Sequence, residues 1–128
     1  MYALEVNNIN FGYNGGETLK DISFKVKDGE FVSIIGPNGS GKSTLLKLIN
    51  NLYKPKKGSI LIYGKEVSSY KARDLAKKVA LVPQDTNLEY EFPVEDIVLM
   101  GRHPYVDRFK KENDDDYRVA NEALKLTN

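Results

Sequence analysis

Cysteine is absent from all 128 residues, which excludes disulfides, thiolate metal sites and cysteine nucleophiles and suits a reducing compartment. An excess of one charge is missing too. The formal net charge is +1, which offers neither a global basic field for nucleic acid nor the acidic surplus of a disordered chain. No run approaches the roughly 20 apolar residues of a membrane span, so no direct membrane insertion is expected. The opening MYALEVNNINFGY has no basic segment followed by an apolar one, so no signal peptide is read there. Internal repeats and low-complexity tracts are also missing. What is present is 41% hydrophobic and 29% charged, the profile of a globular protein with material for one core.

The apolar pattern orders that material. Leu4, Val6, Ile9 and Phe11 predict an edge-like opening strand broken at Asn7-Asn8, and Asn14 to Gly16 predict a turn. Ile22, Phe24 and Val26 alternate with polar neighbours, which predicts a half-buried strand ended by Asp28-Gly29. The compact run FVSIIG, Phe31 to Gly36, reads as a strand buried on both faces. Leu45, Leu48, Ile49 and Leu52 follow helical spacing until KPKKG interrupts them. SILIYG predicts a strand closed by Gly64, ARDLAKK a helix, and VALVP, Val79 to Pro83, a short apolar strand. Pro93 suits a first helical turn, and Asn113 or Asp114 caps a last helix with Val119, Ala120, Ala123 and Leu124 on one face. The whole predicts an α/β protein with a helical part beginning near Phe92.

Between the run ending at Ile35 and the helix after Gly41 lie the glycines Gly36, Gly39 and Gly41. Gly36 to Ser43 fits G-x-x-x-x-G-K-[ST] at every fixed position, with an apolar run before it and a helical pattern after it. A triphosphate needs several backbone N–H groups aimed into one concavity. Glycine-rich backbone wraps that tightly without a Cβ clash. A helix starting near Gly41 adds the positive end of its dipole. Lys42 supplies a mobile charge for the β- and γ-phosphates, and Ser43 a hydroxyl for Mg²⁺. A turn that merely joins strand to helix would not require this pattern.

GPNGSGKSTLLKLI resembles the Walker A segment of the ABC (ATP-binding cassette) ATPases, and the likeness extends along essentially the whole chain. FGYNGGETLKDISFKVKDGE is similar to that family's opening, KPKKGSILIYGKEV to the strand and turn after the first helix, and LAKKVALVPQD to the segment ending in the Q-loop. FPVEDIVLMGRHPY resembles the start of the helical subdomain in importers of iron–siderophores, haem and cobalamin. The resemblance implies a phosphate-loop fold of ABC type that binds ATP with Mg²⁺, with residues 1–91 as nucleotide-binding core and 92–128 as the start of the helical subdomain. It implies that Tyr13 stacks on adenine and that Asn38, Ser40 and Thr44 join Gly36, Gly39, Gly41, Lys42 and Ser43 around the nucleotide. Gln84 would present its carbonyl oxygen to Mg²⁺ or hold the attacking water. Residues 85–92 would touch a transmembrane permease, so Leu88, Tyr90 and Phe92 either contact that partner or cover the core locally. The complete protein would form a head-to-tail dimer, cytoplasmic and peripheral at the inner face of the membrane.

Several parts of the family pattern are not in this sequence. It holds no LSGGQ-type signature and no Walker B strand ending in Asp-Glu, since NGGET lies in the opening turn and VALVPQD ends in Gln-Asp after a proline. The family's switch histidine lies after a later strand, so His103 does not match it and reads as a surface or packing residue. The sequence therefore resembles the N-terminal half of a cassette ATPase that binds nucleotide but has no general base to hydrolyse it. Without the Walker B strand, Phe31 to Ile35 would face an unpaired neighbour. Another reading is a stand-alone nucleotide-sensing module; a kinase or GTPase is disfavoured because N-K-x-D is absent. The acidic run at Glu112 to Asp116 is read as helix capping rather than a cation site. Lys54, Lys56 and Lys57, without interleaved aromatics, are read as solvated surface rather than a nucleic-acid contact.

Overall fold

The computed structural model describes residues 1–84 and 91–127, in two compact units, Met1–Ala80 and Leu81–Asn128. The first holds an antiparallel sheet in the order β2-β1-β3-β4, built from β1 (Tyr2–Phe11), β2 (Leu19–Lys27), β3 (Lys57–Ile62) and β4 (Lys65–Glu66). It also holds helices α1 (Lys42–Ile49) and α2 (Ala72–Ala76) and a 3₁₀ turn at Val67–Ser69. The opening strand is thus interior, flanked by β2 and β3, and not an edge.

Asn7-Asn8 does not end β1; it bulges it. Val6 faces Phe24 and Ile9 faces Ile22, so Asn7 and Asn8 on β1 stand opposite Ser23 alone on β2. Strict alternation would send Val6 and Ile9 to opposite faces. Asn8 takes φ 48°, absorbs the extra residue, and leaves both side chains fully buried. The bulge is tied down by the backbone N–H of Asn8 donating to Ser23 Oγ at 2.8 Å and by its amide donating to Asp21 at 2.7 Å. On the β3 side, Gly58 answers it with φ 87°, where an added Cβ would stand 2.3 Å from the carbonyl oxygen of Asn7.

The core forms where Leu45, Leu48 and Ile49 of α1 meet Val6 and Ile9 of β1 and Ile60 and Ile62 of β3. Each such side chain, fully buried, contributes about 1.5–3 kcal/mol. Leu52 falls beyond the helix end and is exposed, because Asn51 takes φ 56° and turns the chain away. Tyr63 and Gly64, both at positive φ, make the tight turn from β3 to β4.

Two predicted strands do not form. Among the described residues nothing pairs with 31–36 or with 79–83. Phe31 and Ile35 are 93% exposed and Val82 is 90% exposed. A strand exists only through its ladder, and an apolar run specifies a destination without supplying a partner. Val32 and Ile34 are only half exposed; they line a 640 Å³ cavity together with Leu19, Ile22 and Phe24 of β2 and Leu45 of α1.

The second unit holds α3 (Val94–Met100), opened by Pro93, and α4 (Asp114–Thr127). The acidic run caps α4, as the sequence suggests. Asn113 Oδ1 accepts the backbone N–H of Asp116 at 3.0 Å, and Asp116 Oδ2 accepts the backbone N–H of Asn113 at 3.0 Å, a reciprocal capping box. Of the predicted apolar face of α4, Ala120 is buried, Val119 and Leu124 are partly so, and Ala123 is exposed. His103 is exposed, with Nε2 3.5 Å from Glu112. No helix among the described residues is long and apolar enough to cross a membrane.

Candidate functional site

The glycine-rich segment leaves the 31–35 run and closes into α1. Gly41 takes φ 93°, in the left-handed region that favours glycine, and an added Cβ would meet Leu19 Cδ2 at 2.7 Å. This position therefore demands glycine for its conformation and for its contact with β2. As the N-cap of α1, Gly41 has no side chain to accept the free N–H groups of the first turn, and no acidic residue lies in that turn. The positive end of the helix is left uncompensated.

Lys42 folds back over the loop. Its ammonium donates to the carbonyl of Gly36 at 2.7 Å and that of Pro37 at 2.8 Å, and lies 3.5 Å from Ser40 Oγ. The loop holds together around this one charge. Asn38, Gly39, Ser40 and Ser43 are exposed, whereas Thr44 is buried.

Tyr13 sits on the turn after β1, 45% exposed, and its hydroxyl lies 3.2 Å from Thr44 Oγ1. The aromatic position and the loop's helix, 31 residues apart in sequence, are thus in contact. The ring is perpendicular to Phe11, at 5.1 Å between centroids, and to Tyr53, at 5.7 Å. Phe11 and Tyr53 stack on one another at 5.5 Å. Phe11 and Tyr53 are not marked for this role by the sequence pattern. Tyr53 keeps the helical spacing of Leu45 and Ile49 but lies past the end of α1, so that spacing marks it as a packing residue and not as a neighbour of Tyr13.

Gln84 is an exposed residue of the second unit. Leu88 and Tyr90 lie outside the described residues; Phe92 is 47% exposed.

A glycine-capped helix that follows a lysine-centred loop defines a phosphate-loop protein. The sequence model of the family described as ABC transporter matches residues 19–128, and the chain belongs to that family. It is 44% identical, over its whole length, to an uncharacterized ABC transporter ATP-binding protein of Methanocaldococcus jannaschii, of which it covers 49%. It is 37% identical over 98% of its length to a cobalamin import ATP-binding protein of Halobacterium salinarum, covering 31% of that protein. Among solved structures, a component of the ABC transporter complex cbiONQ from Clostridium perfringens superposes with a TM-score of 0.78 at 33% identity. That match covers 98% of this chain and 50% of the other. The chain therefore spans half or less of these relatives, and the phosphate-loop fold expected from the sequence is borne out. The family binds ATP, usually with Mg²⁺.

Proposed function

We propose that the chain is the nucleotide-binding part of the ATP-binding subunit of an importer, with residues 1–91 as its core and 92–128 as the start of its helical subdomain. The observation that carries this reading is the loop from Gly36 to Ser43, closed around Lys42 and opening into a helix with no acceptor at its cap. Such a cradle suits a polyphosphate anion. Lys42 neutralises phosphate charge, while the backbone from Gly36 to Gly41, including Asn38, Gly39 and Ser40, and the first turn at Ser43 and Thr44 supply N–H donors. Tyr13 offers the adenine a flat, half-exposed ring. The Ser43 hydroxyl and the Gln84 carbonyl are oxygen donors of the kind a hard cation takes, which fits Mg²⁺. Bound Mg²⁺ would screen the charge of the β- and γ-phosphates.

Residues 85–92 are assigned to a transmembrane permease, and the complete protein to a head-to-tail dimer at the inner face of the cell membrane. Similarity to a cobalamin import ATP-binding protein supports import, with a metal chelate as the solute class. This sequence carries no Asp-Glu after an apolar strand and no LSGGQ, so it binds ATP without turning it over.

Calorimetric titration with Mg-ATP, with phosphate release followed in the same samples, tests the reading. The chain is expected to bind, Lys42→Ala to weaken binding by about tenfold or more, and neither to release phosphate. Equal affinities in the two proteins would remove Lys42 from the site, and phosphate release by the unmodified chain would show that a base had been overlooked.

A further inference from the structure

A ring that stacks on a base must hold its plane before the base arrives. A tyrosine on a surface turn otherwise loses rotamer freedom on binding, and affinity falls accordingly. Tyr13 is not left free. Its hydroxyl is held 3.2 Å from Thr44, and its ring stands at 87° to that of Tyr53 and 89° to that of Phe11. Edge-to-face contacts of this kind are directional, because the positive edge of one ring meets the negative face of another. Phe11 belongs to β1, so its place is set by the sheet. Tyr53 has no such element; it lies between α1 and β3. It is fixed by stacking on Phe11 at 17° between planes and by the ammonium of Lys47, on α1, 5.6 Å from its centroid.

We infer that Tyr53 is a positioning residue for the nucleotide base: braced by Phe11 and Lys47, it sets the plane of the Tyr13 ring and so decides how well this chain tells a nucleoside triphosphate from a bare triphosphate. The inference rests on the reading of Tyr13 as the base-stacking residue. It adds a residue that, packed against the core, would act on the base through Tyr13 and not by contact with it. It also links base and phosphate recognition physically. Lys47 follows Thr44 by one helical turn on α1, so the helix that begins at the phosphate loop carries both a partner of Tyr13 and a brace of Tyr53.

The test compares Mg-ATP with Mg-tripolyphosphate, which presents phosphates without a base, by calorimetry on the 128-residue chain. Tyr53→Leu keeps apolar bulk but removes the flat ring; Tyr53→Phe keeps the ring. Tyr53→Leu is expected to weaken ATP binding about three- to tenfold with tripolyphosphate affinity unchanged, and Tyr53→Phe to stay close to the unmodified chain. Unchanged ATP affinity in Tyr53→Leu overturns the inference. A parallel loss of ATP and tripolyphosphate also overturns it, since Tyr53 would then be supporting the loop and not the ring. Should Tyr53→Leu unfold, Tyr53→Met, whose flexible chain fills irregular space, carries the same comparison. Tyr13→Ala separates this from the underlying reading: it should bring ATP affinity down to that of tripolyphosphate. ATP binding that survives Tyr13→Ala refutes base stacking itself, and the role of Tyr53 falls with it.

Discussion

Asp116 shows how one residue can serve two structures. Its carboxylate caps α4 through the backbone N–H of Asn113 and pairs with the guanidinium of Arg102 at 2.8 Å, in a site where Asp116 is almost wholly buried. The Asn113 hydrogen bond first, and Arg102 second, hold its pKa below the usual carboxylate range. The charged form is therefore favoured by folding. Its stabilisation is fully present above the unfolded pKa and is lost as pH falls below about 4 toward the depressed folded value. Asp116→Asn is expected to lower the denaturation midpoint at pH 7, and the gap from the unmodified chain should narrow as the pH is taken to 3. A gap independent of pH would show that the charge contributes nothing beyond shape. By contrast, the exposed pair of Lys110 and Asp107 at 3.0 Å is solvent-screened, and its removal should barely register.

Among the elements, β1 is the one most shaped by a local exception. Its bulge at Asn8 lets Val6 and Ile9 share a face, and Gly58 on β3 makes room for the displaced backbone. Gly58→Ala would force a left-handed residue and drive its Cβ into the carbonyls of Asn7 and Asn8. A loss of about 2 kcal/mol or more is expected, read from urea denaturation. Gly64→Ala, also at positive φ but with open space around its Cβ, should cost only the backbone part. If both variants lost the same amount, the close approach of β3 to the bulge would have no energetic weight. The strand itself was legible from Leu4, Val6, Ile9 and Phe11, but its interior place was not. Which neighbours a strand takes depends on β2 and β3, and β1 carries no mark of them.

For the whole molecule the open ladder of 31–35 matters most. Phe31, Val32, Ile34 and Ile35 form an apolar run whose backbone has no strand partner among the described residues, and such a run is a template for pairing with another chain. The 128-residue chain is expected to self-associate as its concentration rises, and Phe31→Lys to shift it toward the monomer in sedimentation velocity. Phe31 is 93% exposed and five residues from the phosphate loop, so Mg-ATP affinity should not change in that variant. Identical sedimentation of the two proteins would mean that the run is protected in solution.

By itself the sequence determined the phosphate loop. Gly36 to Ser43 is contiguous, its glycines fix the local backbone, and Lys42 is near enough in the chain to fold onto the carbonyls of Gly36 and Pro37. Local chemistry needs only local residues. The cap of α4 was legible for the same reason, since Asn113 and Asp116 meet within one helical turn. Tertiary structure alone decided that Tyr13 touches Thr44 and that Tyr53 meets its ring, because these contacts join residues far apart in the chain. For 31–35 the sequence already implied an unpaired neighbour, and among the described residues the run has no strand partner. Hydrophobicity records how strongly a segment seeks cover, whereas packing determines what is there to cover it.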